Sequence, residues 1–159
     1  LAVEVKPDRA ETASRIFQCA ASDGAGELYA TQGGGAGAAW GEATLQPTGS
    51  SQALTPGQWH TLVLTVSQSQ LCLYADGTLT CSVNESGATL SQLLAHLGEL
   101  TQNYLGYSPK GAADYAGLLK NLRIYAKALS AAEAGQVGTT PSAKLYWGSL
   151  LLASSQEEA

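Results

Sequence analysis

The chain has 159 residues, of which only 13% are charged, and its 13 acids against 8 bases leave a net charge of −5. That length suits one domain able to bury a core without a metal or a disulfide framework. The acidic balance excludes a nucleic-acid binder, which needs a basic patch, and 18 Gly with so few charges exclude a coiled coil or a charged disordered tail. No stretch reaches the ~18 to 20 apolar residues of a membrane span; the apolar run 145–153 is interrupted by Gly148 and Ser149. The chain lacks Met, and Leu1-Ala2-Val3-Glu4 has neither the basic start nor the apolar stretch of a signal peptide. It reads as a processed or excised piece of a longer protein, and any export signal is expected upstream of it.

In chain order, residues 1–6 alternate, with Glu4 facing opposite Val3 and Val5, and predict a strand that ends at the Pro7-Asp8 turn. Short strands follow at 15–20, around Ile16 and Phe17, and at 28–31, closed by Gly33-Gly34-Gly35. Weaker strand patterns at 38–40 and 43–45 flank a Gly-rich bend. After the Pro56-Gly57-Gln58 turn, residues 59–66 set Leu62, Leu64 and Val66 on one face and Trp59, Thr61, Val63 and Thr65 on the other, all good strand formers. Runs 71–75 and 78–83 flank Asp76-Gly77, the pattern of a two-residue type I′ hairpin. Residues 88–99 carry Leu90, Leu93, Leu94 and Leu97 at helical spacing. Strands are expected at 103–107 and 118–125, and Ser130-Ala131-Ala132-Glu133 is a capping box that opens a short helical turn. Residues 143–154 fit strand or helix, and the Gln156-Glu157-Glu158-Ala159 tail looks like the start of a linker. Many short strands with frequent turns predict an all-β, antiparallel two-sheet jelly-roll β-sandwich with one or two short helices.

Three segments in this order carry a resemblance. Pro56-Gly57-Gln58-Trp59-His60-Thr61-Leu62-Val63-Leu64 comes first, and the hairpin Leu71-Cys72-Leu73-Tyr74-Ala75-Asp76-Gly77 second. The third runs from Tyr104-Leu105-Gly106-Tyr107 through Tyr115-Ala116-Gly117 and Asn121-Leu122-Arg123-Ile124-Tyr125 to Ala128-Leu129-Ser130. Together with residues 1–8, they resemble the laminin-G-like jelly rolls of the concanavalin A-like lectin/glucanase superfamily. The resemblance implies a jelly roll over residues 1–140 that lacks the family's front strand, followed by a C-terminal strand or helix and linker start at 141–159; residues 143–153 are a candidate to fill the front strand's place. It also implies a non-catalytic carbohydrate-binding or accessory module of a larger secreted or cell-surface bacterial glycoside hydrolase. The alternative is a structural or adhesive module that contacts a neighbouring domain or protein. Relatives often carry two acids just before the closing strand, where some bind calcium. Here Lys120 and Asn121 stand there, and a hard cation wants several oxygens, so no cofactor is expected.

Glycoside hydrolysis needs two carboxylates across a cleft, and no acids fall at the i, i+2 spacing that would put a pair on one strand face. Catalysis is therefore not expected, and His60 and His96 read as strand and surface residues. Sugars are held by aromatic platforms with neutral or acidic hydrogen-bonders. Trp59, Tyr74 and Tyr125 lie within the family's structural signature and are expected to pack. Trp40, in the Gly-rich bend, and Tyr107 and Tyr115, flanking the loop that holds Asp114, are the carbohydrate-binding candidates. The expected partners are a glycan and the neighbouring domains of the parent protein, with no nucleic acid and no membrane. If Asp76 and Gly77 are the turn residues, Cys72 opposes Cys81 at a non-hydrogen-bonded pair, with Cα atoms ~4.5 Å apart. That is within disulfide reach, so a Cys72–Cys81 bond is expected if the protein is exported. Cys19, on the face of Phe17, is expected to be a buried free thiol.

Overall fold

The computed structural model describes residues 1–10, 14–20, 26–30, 35–40, 43–45, 54–67, 70–84, 102–108 and 113–138. Among these residues the strands are β1 (Ala2–Pro7), β2 (Ser14–Ala20), β3 (Gly26–Ala30), β4 (Ala36–Trp40), β5 (Ala43–Leu45), β6 (His60–Val66), β7 (Gln70–Ala75), β8 (Thr78–Asn84), β9 (Gln102–Leu105) and β10 (Gly117–Arg123). They form two 5-stranded antiparallel sheets, ordered β10-β1-β6-β7-β8 and β5-β4-β3-β2-β9. One short helix, α1 (Ala131–Gln136), follows β10. The expected two-sheet sandwich is present, and each strand lies within a few residues of its sequence pattern. The expected helix at 88–99 and the segment 143–153 lie outside the described residues.

Strand alternation builds the core. Val3 and Val5 of β1, Leu62 and Leu64 of β6, and Leu71 and Leu73 of β7 point inward and meet Ile16, Phe17, Ala36 and Ala38 of the second sheet. Burying each large aliphatic side chain contributes about 1.5 to 3 kcal/mol. The opposite face of the first sheet is partly apolar as well. There Ala2, Val63, Cys72 and Tyr74 pack under Ala134 and Val137, with Tyr125 and Leu129 at the margin. This explains why both faces of β6 carry strand-forming apolar residues.

The helix starts as the sequence predicts. The Ser130 hydroxyl accepts from the Glu133 backbone N–H at 3.3 Å, and the Glu133 carboxylate accepts from the Ser130 N–H at 2.8 Å. The chain is held to β10 where Arg123 Nη1 donates to the Val137 carbonyl at 2.7 Å.

The β7–β8 hairpin corrects one expectation. Asp76 and Gly77 form the turn with φ of 50° and 77°, as type I′ requires. Ala75 opposes Thr78 and Tyr74 opposes Leu79, but Leu73 then opposes Cys81, leaving Thr80 as an extra residue on β8. The Thr80 hydroxyl donates to the Leu73 carbonyl at 2.7 Å and pins this bulge. One extra residue moves every later side chain to the other face. Cys81 therefore packs toward the inter-sheet core, while Cys72 packs on the outer face with Val63 and Tyr74. Both thiols are free, and the expected Cys72–Cys81 disulfide does not form. The side chain of Cys19 lies outside the described residues.

Candidate functional site

β9 pairs with β2 at one margin of the second sheet. At its end Gly106 adopts φ +70°, which turns the chain and brings Tyr107 back beside Tyr104. The two rings lie with centroids 5.5 Å apart and planes tilted by 56°, within the range favoured by aromatic quadrupoles. Tyr107 is 50% exposed, and Asn103 and Leu105 of the same strand are exposed too. The result is a tilted aromatic pair at the end of β9, which is the marginal strand of the sheet among the described residues.

The loop behind this pair is firmly held. The Tyr115 N–H donates to the Gly106 carbonyl at 3.0 Å, and the Arg15 N–H donates to the Ala113 carbonyl at 2.9 Å. Asp114 Oδ1 accepts from the Ser108 N–H at 2.9 Å. The structure thus gives Asp114 a defined task, closing the loop that carries Tyr107, while the residue itself stays exposed.

Tyr115 departs from expectation. It is only 9% exposed and belongs to the inter-sheet core. Its ring lies against Gly117, where an added Cβ would come within 2.9 Å of the ring and 2.3 Å of the Lys6 carbonyl. A buried ring cannot be a sugar platform, so Tyr115 leaves the candidate set. Trp40 ends β4 on another strand, and its side chain lies outside the described residues. Tyr107 and Asp114 are brought together, and Tyr104 joins them. The signal for Tyr104 was available: two tyrosines three apart around a glycine that can turn back.

Two other positions are settled by their partners. His60 is held between Asp76 Oδ2, 2.7 Å from Nδ1, and the Thr55 carbonyl, 3.3 Å from Nε2. Asp76 Oδ1 also accepts from the Thr61 N–H at 2.8 Å. His60 thus fastens the hairpin tip to the loop before β6.

Lys120 and Asn121, which stand at the family's acidic positions, both engage Glu4. Lys120 Nζ lies 3.1 Å from one carboxylate oxygen, and the Asn121 amide donates to the other at 2.7 Å. Asn121 sits at φ +53°, in a bulge where β10 spends an extra residue opposite β1. Burial pushes the Glu4 carboxyl up, but Asn121, Lys120 and Arg123 more than offset it and hold the group below its ordinary value. Lys120 Nζ also lies over the Trp59 ring, 4.0 Å from its centroid. Trp59, expected to pack, is 41% exposed just before the start of β6.

The comparisons agree with this architecture. The family model described as the concanavalin A-like lectin/glucanases superfamily matches residues 1–135, whereas no curated protein matches. Among solved structures, a candidate carbohydrate binding protein from Bacteroides ovatus is similar at 16% identity and a TM-score of 0.64, over 85% of this chain and 39% of that one. Domain 4 of AbnA, an extracellular GH43 arabinanase of Geobacillus stearothermophilus, in complex with arabinotriose, is similar at 22% identity and a TM-score of 0.59, over 86% of this chain and 64% of that one. The CBM40 of a Ruminococcus gnavus IT-sialidase, bound to α2,3-sialyllactose, is similar at 16% identity and a TM-score of 0.63, over 88% and 80% respectively. At these identities the likeness is one of fold. The chain thus spans less than half of the Bacteroides ovatus protein. Matched from residue 1 to residue 135, the chain belongs to the concanavalin A-like lectin/glucanases superfamily.

Proposed function

We propose that the chain is a non-catalytic carbohydrate-binding module, an accessory domain of a larger secreted or cell-surface bacterial glycoside hydrolase, and that it holds a glycan at the β9 edge. The observation that carries this reading is the half-exposed Tyr107 ring braced by Tyr104. Such a pair offers the apolar face of a sugar ring a rigid platform at little entropic cost. Support comes also from proteins of similar fold that were solved with arabinotriose and with sialyllactose bound.

The test is a glycan array on the isolated chain, followed by calorimetry with each hit. Tyr107→Ala is expected to weaken binding at least tenfold, since stacking on one aromatic is worth about 0.5 to 1.5 kcal/mol beyond its buried area; the far-ultraviolet circular dichroism should not change. Unchanged affinity in the variant would refute the β9 site. The reading needs no cofactor, so EDTA should leave the affinity as it was.

One observation favours the second reading, a module that packs on a neighbouring domain. Leu122 and Ile124, at the end of β10, are exposed apolar residues. Amide exchange at 122–124 should then slow in the parent protein relative to the isolated chain, and equal rates would remove this reading.

A further inference from the structure

The two sheets end side by side on one flank. Among the described residues, β10 is the marginal strand of the first sheet and β9 that of the second. A Cβ added at Gly106, which follows β9, would come within 3.5 Å of Leu119 Cδ1 of β10. Leu105 opposes the core residue Phe17 and so projects inward with it, yet it is 47% exposed. Arg123 opposes Ala2 on the outer face of the first sheet, and Tyr125 packs on that face too. Leu122 and Ile124 flank Arg123 and project the other way, inward; they are 40% and 68% exposed. Inward side chains of a sandwich interdigitate as its core. Three exposed ones along two marginal strands mark a place for one more strand.

The chain leaving α1 is brought toward this flank. Arg123 Nη1 of β10 holds the Val137 carbonyl at 2.7 Å. A Cβ added at Gly138 would lie 2.6 Å from Thr61 Oγ1. Thr61 opposes Glu4, and Glu4 opposes Lys120, so Gly138 stands over a row that runs from β6 across β1 to β10. A strand beyond β10 lies three inter-strand spacings from β6, about 14 Å. The residues from 139 to 144 span up to about 20 Å when extended, enough to cross. Thr139-Thr140-Pro141-Ser142 is a polar connection, and Leu145 to Ala153 then carries no charge. That run is long enough to match the 7 residues of β10, and water disfavours leaving it exposed.

We propose that residues 145–153 form the strand that closes this flank, pairing along β10 and covering Leu105, Leu122 and Ile124. Tyr104 opposes Gln18 and projects to the other side of β9, so the added strand does not cover its ring.

The test is nuclear magnetic resonance of the full chain, combined with amide exchange. Cross-strand proton contacts between 145–153 and 117–123 are expected. The β10 amides that face away from β1 should exchange at least about tenfold more slowly in the native chain than in a chain cut after Ser142. Leu150→Pro keeps the chain's length but removes a strand hydrogen bond. It should speed exchange at 117–123 and leave the amides of β3 and β4 unchanged. The contacts are read in the native chain, so a folding defect in either variant leaves the test intact. Equal exchange in the native and cut chains, or contacts of β10 with residues 85–101 in place of 145–153, would overturn the inference. So would protection that appears only at high protein concentration, as a second copy would give, or only in the parent protein, as a neighbouring domain would give.

Discussion

Asp76 shows how much one side chain can hold. It supplies the first positive-φ position of the hairpin turn, accepts from the Thr61 N–H and contacts His60 Nδ1. Alanine would keep none of these, because it disfavours positive φ and has nothing to accept with. Two hydrogen bonds at about 1 kcal/mol net each and about 1 kcal/mol of backbone strain predict that Asp76→Ala lowers the unfolding free energy by about 2 to 3 kcal/mol in urea titration. Asp76→Asn should recover roughly half, since Asn tolerates the conformation and retains one acceptor. A loss below about 0.5 kcal/mol would mean the turn holds without the carboxylate. The same scale explains which site residues could be read in advance. Tyr107 follows a glycine beside a strand and was legible as an exposed ring. Tyr115 was not, because its burial depends on Gly117 lying against the Lys6 carbonyl, a contact with a strand more than a hundred residues away in sequence. Trp59 was misplaced for a similar reason: the group that meets its ring is Lys120, from a strand about sixty residues away in sequence.

At the level of elements, local chemistry was the legible part. The Asp-Gly turn and the Ser130–Glu133 capping box each act over a few residues, and both are present. Lys127, which pairs with Glu133, and the Ser130 N–H and hydroxyl together hold the Glu133 carboxyl down to about 2. A carboxyl whose folded value lies below its ordinary 4.5 adds stability that is full above that pH and is lost as the pH falls toward 2. Ser130→Ala removes the hydroxyl that accepts from the Glu133 N–H and should cost about 1 kcal/mol near neutrality, the usual worth of an N-cap. The gap between native chain and variant should narrow as the pH drops from 4.5 toward 2. Urea titrations at several pH values check this, and a constant gap would mean that Glu133 does not act through the cap. The Thr80 bulge lies at the same scale but was hidden. Its cause is a hydroxyl reaching a carbonyl of the neighbouring strand, and a Thr in a strand looks the same in sequence whether or not it does so.

For the whole molecule, alternation told that there were two faces to cover, but not which strands would meet. The order β10-β1-β6 joins the two ends of the described chain across its middle, and no local pattern encodes such pairing. Family resemblance supplied what periodicity could not. The proposed glycan surface follows from this topology, at the β9 margin of the second sheet. The cysteines provide a global check. A structural disulfide is worth about 2 to 4 kcal/mol, which reduction would remove, so a chain with Cys72 and Cys81 free should show the same Tm with and without dithiothreitol. A fall of several degrees on reduction would show that the thiols are joined after all. The consequence of Thr80 reaches beyond the hairpin. By turning the two sulfurs to opposite faces of the sheet, one inserted residue sets the register as a lock on this pair: Cys72 and Cys81 could be joined only if the hairpin gave up its Thr80 bulge and slid by one residue.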